Sequence, residues 1–374
     1  MAASSKPAKP ASSASLTNMT TVMSAVGVVT AASAIYAGHS LVSRGDLQTL
    51  ALRFLTGPGR TSRILLSLFV ATNLKNMPFV WTLRLFGAML RHTYWPRKPL
   101  PQTSLFHYSI THSYTPLMET DYNMHKSNST YFSDLDTSRT HLVMFLLGPA
   151  VAAAGRNQET KLVCSPDDPS KAMPGNFGVG LGGVYCSFRK EIAPYQGYEM
   201  WSRVLCWDRK WLYTVTHFVV KGKVKPPSLD SSPQSSSAGS NKKAQAWTPE
   251  DEANLQKYVI ATAVSRYVFK MGRFTVHPAI LVEASGLLPA RPGPMGWRGG
   301  ADAVGDLSQA VDADAEANTD ADTETGEQGA WTWKDVERER RRGMVIADRF
   351  AGLEDAGLLF DGGKNGALGI FGPG

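Results

Sequence analysis

"DYNMHKSNSTYFSDLDTSR" occupies residues 121–139 and runs directly into the apolar "THLVMFLLG" of 140–148. Its first part gathers Asp121, Asn123, His125 and Asn128 on one short loop. From about Asn128 to Leu147 the pattern predicts a helix, with "GP" at 148–149 as its end. Two readings of the junction stand together. In the first, Ser127 or Asn128 caps the helix and Asp121 bonds to loop amides. In the second, the helix start is used for chemistry. Its first amides have no internal partner and carry partial positive charge, which suits a developing oxyanion. A carboxylate just upstream can attack an acyl carbonyl or activate water on it. Asp134 and Asp136, inside the helix, are predicted to face solvent, with Arg139 spaced to pair with Asp136.

Working outward, "LFHYSITHSYT" (105–115) alternates as a half-buried strand before the loop. Beyond the helix, 178–190, 196–207 and 211–221 read as strands, and "WDRKW" (207–211) as the hairpin joining the last two. "KYVIATAVSRYVFK" (257–270) reads as another strand, though its pattern also allows a helix. Strand, long helix, then antiparallel strands predicts an α+β domain in which a curved sheet wraps one central helix. "GVGLGG" (178–183) has dinucleotide-loop spacing, but a strand pattern follows it where a helix is needed. Its glycines instead mark a bulge or a close backbone approach.

Composition divides the chain. Residues 1–100 hold eleven Lys or Arg and one acid, Asp46, whereas 301–330 hold nine acids and no base. The expected organisation is a basic apolar N-terminal region (1–100), a core domain (101–289) with a disordered insertion (222–254), an acidic linker (290–330), and a C-terminal helix and tail (331–374). That helix, from 331 to 353, is predicted to set Ile346, Phe350 and Leu353 on one side and a solvated charge block on the other.

The basic front end is interleaved with apolar runs and no nucleic-acid motif follows, so nucleic acid is excluded as a partner. "MTTVMSAVGVVTAASAIYAG" (19–38) has about the length of a spanning helix. After Pro78, Phe79, Leu83, Phe86 and Leu90 recur as in a helix lying at an interface. These features predict an intracellular protein with a membrane-associated front end, with a mitochondrial address as the second reading. Cys164, Cys186 and Cys206 lack metal-ligand spacing and suit a reducing compartment. No G-x-S-x-G elbow and no H-E-x-x-H motif occurs, so neither that hydrolase type nor that metal site is indicated. No cofactor is implied.

At the loop the chain resembles the hot-dog-fold thioesterases of the 4-hydroxybenzoyl-CoA thioesterase type. Their motif runs Asp, three residues, Gly-His or a close variant, a hydrophobic residue, Asn-Asn, two residues, Tyr. Here it stands as Asp121, "YNM", His125, Lys126, Ser127, Asn128, "ST", Tyr131. A closer resemblance is to fungal thioesterase-like proteins related to thioesterase superfamily member 6, several of which occur in secondary-metabolite clusters. It is carried by the front end, by "SRYVFKMGRFTVHPAILVEASGLLP" (265–289) and by "ERERRRGMVIADRFAGL" (337–353). The resemblance implies a hot-dog fold, a homodimer with its pocket at the subunit boundary, and hydrolysis of acyl-CoA or carrier-protein thioesters. Asp121 then becomes the general base or nucleophile, the Asn128 amide the polariser of the carbonyl, and His125 and Tyr131 the shapers of loop and pocket. Ser127 departs from the first Asn of the motif and Lys126 from its apolar residue. Lys126 either reaches a phosphate of the substrate's pantetheine arm or is simply solvated. Two competing functions remain: a non-catalytic acyl-binding or scaffold protein at a membrane, and a dehydratase or isomerase using His125 as base.

Overall fold

The structure is a computed structural model that describes residue 36 and residues 47–95, 98–226, 255–292, 296–298 and 331–360. The apolar stretch at 19–38 (apart from residue 36), the 227–254 part of the insertion, the acidic segment 301–330 and the tail after 360 lie outside the described residues. Two helices, α1 (Leu47–Thr56) and α2 (Arg60–Thr72), form a hairpin; a 3-10 turn (Leu74–Asn76) leads to α3 (Val80–Tyr94). Strand β1 (Ser109–Tyr114) precedes the long α4 (Thr130–Gly155) and the single turn α5 (Asn157–Thr160). Next come β2 (Phe177–Phe188), β3 (Gly197–Trp207), β4 (Trp211–Val220), β5 (Val259–Met271) and β6 (Phe274–Val276), then α6 (Pro278–Ala284) and α7 (Trp333–Gly352).

The strands form one antiparallel sheet in the order β1-β3-β4-β5-β2, with β6 also paired to β5. Its inner face packs on α4, the α+β hot-dog arrangement expected from the element order. Leu142, Leu146, Leu147 and Ala150 of α4 meet Val204, Trp207, Leu212 and Phe269 in the larger core. Nearer the helix start, Tyr131 and Leu135 pack with Tyr198, Met200, Phe218 and Ala261. Between these apolar patches runs a polar seam: Thr111 donates to Ser138 at 2.9 Å, and Ser138, Ser202 and Thr216 follow in hydrogen-bonded sequence. The inward face of β1 is therefore the polar one, because the N-terminal half of α4 presents hydroxyl and carboxylate groups to it.

Several boundaries differ from the expectation. Residues 102–106 form a 3-10 turn, so the first strand starts at Ser109. Helix α4 continues through Pro149 to Gly155. Pro149 forgoes one backbone bond, Gly148 before it lacks the Cβ that would hinder helical backbone there, and buried Ala150 and Ala154 extend the apolar face beyond. The ambiguous 257–270 segment is strand β5, buried on both faces along most of its length, which explains why alternation was weak. The "GVGLGG" stretch holds a bulge between Leu181 and Gly183. A Cβ on the intervening Gly182 would overlap the Trp211 ring.

Helix α7 crosses the outer face of β3, where a Cβ on Gly343 would collide with the Leu205 carbonyl. Its buried side comprises Val336, Glu337, Gly343 and Ala347, while Ile346 and Leu353 are exposed, contrary to the predicted face. The close crossing admits only small residues. The charge block is also not wholly solvated: Glu337 is 1% exposed and accepts from Arg340 at 2.8 Å and Arg341 at 3.1 Å.

Candidate active site

The loop between β1 and α4 closes on itself. Thr120 and Lys126 bridge, Asp121 N–H donates to the His125 carbonyl at 2.9 Å, and Met124 N–H returns to the Asp121 carbonyl at 3.0 Å. Met124 takes the left-handed backbone, φ 61°, to make this turn. The Asp121 carboxylate accepts the Asn123 amide at 2.9 Å and stays partly open to solvent. Lys126 N–H donates to the Ile192 carbonyl at 2.8 Å, and Ser127 N–H to the Glu119 carbonyl at 2.7 Å, fixing the loop to both its neighbours.

Helix α4 begins one residue later than the capping reading required. Ser129 occupies the cap position without a side-chain cap bond, so neither Ser127 nor Asn128 serves as N-cap. The Asn128 amide donates to no group among the described residues. Loop closure joins Asp121 and His125 through their backbone, and Asn128 lies just before the cap residue of the 26-residue helix. His125 meets Glu191 at 3.0 Å on the surface. Tyr131 instead turns inward, 2% exposed, edge-on to Phe188 and Phe218 with ring centroids 5.0 Å apart in each case. It is part of the core beneath the helix start.

Lys126 corrects the expectation of a surface or phosphate-contacting lysine. Its side chain is fully buried and its ammonium pairs with Glu119 and, at 3.1 Å, with Asp134. Asp134 likewise corrects the solvent-facing reading, being 0% exposed. The reason is its position: Tyr131, Asp134, Leu135, Ser138 and Leu142 share the inward stripe of α4. Asp136 does pair with Arg139, as predicted.

Around these two groups lies a buried ionic cluster that motif reading missed. Lys75, from the turn between α2 and α3, reaches Asp134 at 2.7 Å and Glu119 at 2.9 Å. Arg84 of α3 and Ser113 of β1 donate to the other Asp134 oxygen at 3.0 and 3.1 Å, and Tyr198 donates to the first. Burial alone pushes the Asp134 carboxyl up, but Lys75 and Lys126 more than reverse this and hold it below the usual carboxylate range. Burial, then the Asp134 charge, pushes the Tyr198 hydroxyl well above its ordinary value. The available signal was a lone lysine in an apolar segment and an aspartate on an apolar helical stripe.

A groove of about 410 Å³ borders the helix start, lined by Phe79, Trp81, Arg84, Glu119, Thr130 and Ser133 among others. A larger cleft of about 1090 Å³, among Phe106, Tyr108, His141, Trp201 and His217, includes no residue of 119–131. The groove touches the start of the loop at Met118 and Glu119 and the helix at Thr130 and Ser133, and neither cavity is lined by Asp121, His125 or Asn128.

A long helix enclosed by an antiparallel sheet, with a carboxylate loop at the helix start, places the protein in the hot-dog class. Its relatives by sequence are fungal thioesterases. It is 34% identical to the probable thioesterase atnL of Emericella nidulans over 85% of this chain and 92% of that one. Thioesterase poxG of Penicillium oxalicum is 35% identical over 80% and 88% of the respective chains. Among solved structures, the YbaW probable thioesterase from Escherichia coli aligns over 48% of this chain and 96% of its own, with 9% identity and a TM-score of 0.30. No family model matches the chain. The chain belongs to the family of fungal thioesterases that includes atnL and poxG.

Proposed function

We propose that the protein hydrolyses acyl thioesters of coenzyme A or of an acyl carrier protein, with Asp121 and the Asn128 amide acting on one carbonyl. The observation that carries this reading is the unpartnered Asn128 amide on the loop that also holds Asp121. Asp121 attacks the carbonyl carbon or takes a proton from the water that does. Either route places negative charge on the carbonyl oxygen, which the Asn128 N–H and the helix dipole stabilise. Collapse breaks the C–S bond, the thiolate leaves and takes up a proton, and one water is consumed per acid and thiol released. His125 and Tyr131 hold the shape of loop and wall. The family suggests an acyl chain of polyketide or lipopeptide origin.

The reading includes a homodimer. Strand β2 ends the sheet among the described residues and exposes Leu181, Tyr185 and Phe188, the last of which touches Tyr131. A second copy paired along β2 would lie next to the site. It also includes a membrane-associated front end. No acid occurs between Asp46 and Glu119, and α2 has no buried residue, exposing Leu65, Leu66 and Phe69 beside Arg60 and Arg63. No helix among the described residues is long and apolar enough to cross a membrane; the exposed apolar face of α2 is of the kind that lies in the plane of a membrane surface.

Thiol release across a panel of acyl-CoAs tests the proposal. Asp121→Ala should lose about 100-fold or more in kcat while keeping its fold. Unchanged turnover would remove Asp121 from the mechanism. An inactive wild-type protein that binds acyl-CoA with or without Asp121 would favour the scaffold alternative.

A further inference from the structure

The buried cluster joins the N-terminal helical region to the catalytic loop. Lys75 lies on the turn between α2 and α3, yet its ammonium sits inside the core domain, where it also donates to the Tyr114 carbonyl at 2.9 Å. Glu119 Oε2 and Asp134 Oδ2 are each held between Lys75 and Lys126. Two residues before Lys75, Asn73 is 0% exposed, and its side-chain oxygen accepts the Met118 amide at 2.9 Å. The same turn therefore grips two consecutive residues of the loop, Met118 by its backbone and Glu119 by its carboxylate.

Glu119 passes this constraint to the reacting groups. Its carbonyl accepts Ser127 N–H, so the residue next to Asn128 is tied to the residue that Lys75 holds. Asp134 carries the constraint to the helix, one turn inside α4. Loop and helix start, the two parts that must aim at one carbonyl, are thus referred to a single ammonium from outside the core domain. Small displacements of such groups are costly to rate because the advantage of a preset geometry falls steeply with misalignment.

We propose that Lys75, seconded by Asn73, is a positioning residue for the catalytic loop, so that the N-terminal helical region is part of the active-site scaffold. This rests on the reading of Asp121 and Asn128 given above. Lys126, the departure from the family motif, is the inner half of the same clamp: a charged residue replaces an apolar one because the buried carboxylates of Glu119 and Asp134 face it.

The test is Lys75→Met in the full chain. Lys126 and Arg84 still balance Glu119 and Asp134 in charge, so the variant keeps a neutral cluster and its folding can be verified by circular dichroism. The expected result is a kcat lower by about ten-fold or more with KM changed by less than about three-fold, at a temperature well below Tm. Amide hydrogen exchange over 117–128 should accelerate about ten-fold or more while that of 142–147 stays as in the wild type. Asn73→Ala should move both readouts the same way by less. A folded Lys75→Met protein with kcat within about two-fold of wild type, or with loop exchange unchanged, overturns the proposal. A purely structural lysine would lower Tm without either change. If the wild-type protein releases no thiol from any acyl-CoA, the reading of the site has failed, and loop exchange alone then decides the role of Lys75.

Discussion

The Lys126 ammonium lies 3.1 Å from Asp134 Oδ2, and neither side chain reaches solvent. Such a pair is expensive to desolvate and is held only by the full set of partners around it. Removing Lys126 leaves Lys75 and Arg84 to match Glu119 and Asp134 in charge, but strips each buried carboxylate of an ammonium contact.

Lys126→Met should therefore destabilise the protein by roughly 3 kcal/mol, as for other broken buried pairs. Lys126→Met combined with Glu119→Gln, which removes one charge of each sign, should recover a large part of that loss. Urea unfolding of the two variants checks this. A single variant as stable as wild type would show that the cluster contributes no net stability.

Replacing Asn128 by proline removes one N–H and leaves the carboxylate of Asp121 in place. Because that N–H makes no bond among the described residues, the expected loss is in kcat, on the order of 100-fold, as for other oxyanion donors. KM and the thermal transition should change little. Comparable kcat in the variant would move the oxyanion site elsewhere.

His217, on the outer face of β4, bonds Thr262 at 3.1 Å and has its pKa lowered to about 4, first by burial and then by Arg203 and Arg189. The unfolded chain takes up this proton near the ordinary histidine value of 6.5. Between those values the unfolded state binds more protons than the native one, so stability is full above pH 6.5 and falls as pH drops toward 4. Each such histidine contributes a slope of about 1 kcal/mol per pH unit, and His92 and His277 are lowered similarly. His217→Gln should flatten the acid limb of a stability-versus-pH curve by about one histidine's share. An unaltered slope would mean that His217 titrates normally.

Gly343→Ala and Gly87→Ala should move stability in opposite directions. The first pushes a methyl into the Leu205 carbonyl and lifts α7 from β3, a cost on the order of 1–3 kcal/mol. The second adds a methyl in open space within α3 and should stabilise by roughly 0.5–1 kcal/mol. Thermal denaturation distinguishes them directly.

Local pattern carried a large share of this protein's architecture. Alternating side chains marked the strands from 178 to 221, "WDRKW" marked the hairpin, which closes with an Asp208 N–H to Trp211 carbonyl bond of 3.0 Å, and the apolar run after a capping-type loop marked the long helix. These signals are legible because each depends on neighbours a few positions apart. The loop with Asp121 and Asn128 was legible for the same reason, being a contiguous motif at a helix start.

The partners of Lys126 were decided only by tertiary structure. Lys75, Glu119, Asp134 and Tyr198 converge from a turn, a loop, a helix and a strand, with Lys75 and Tyr198 separated by 123 positions. An ammonium reads as solvated in any local window, since burying it alone is prohibitive. Only the packed chain supplies the opposing carboxylates that make burial tolerable, and that supply is invisible to periodicity. The same holds for the exposed edge of β2 and for Gly343, whose meaning depends on what crosses them rather than on what adjoins them in sequence.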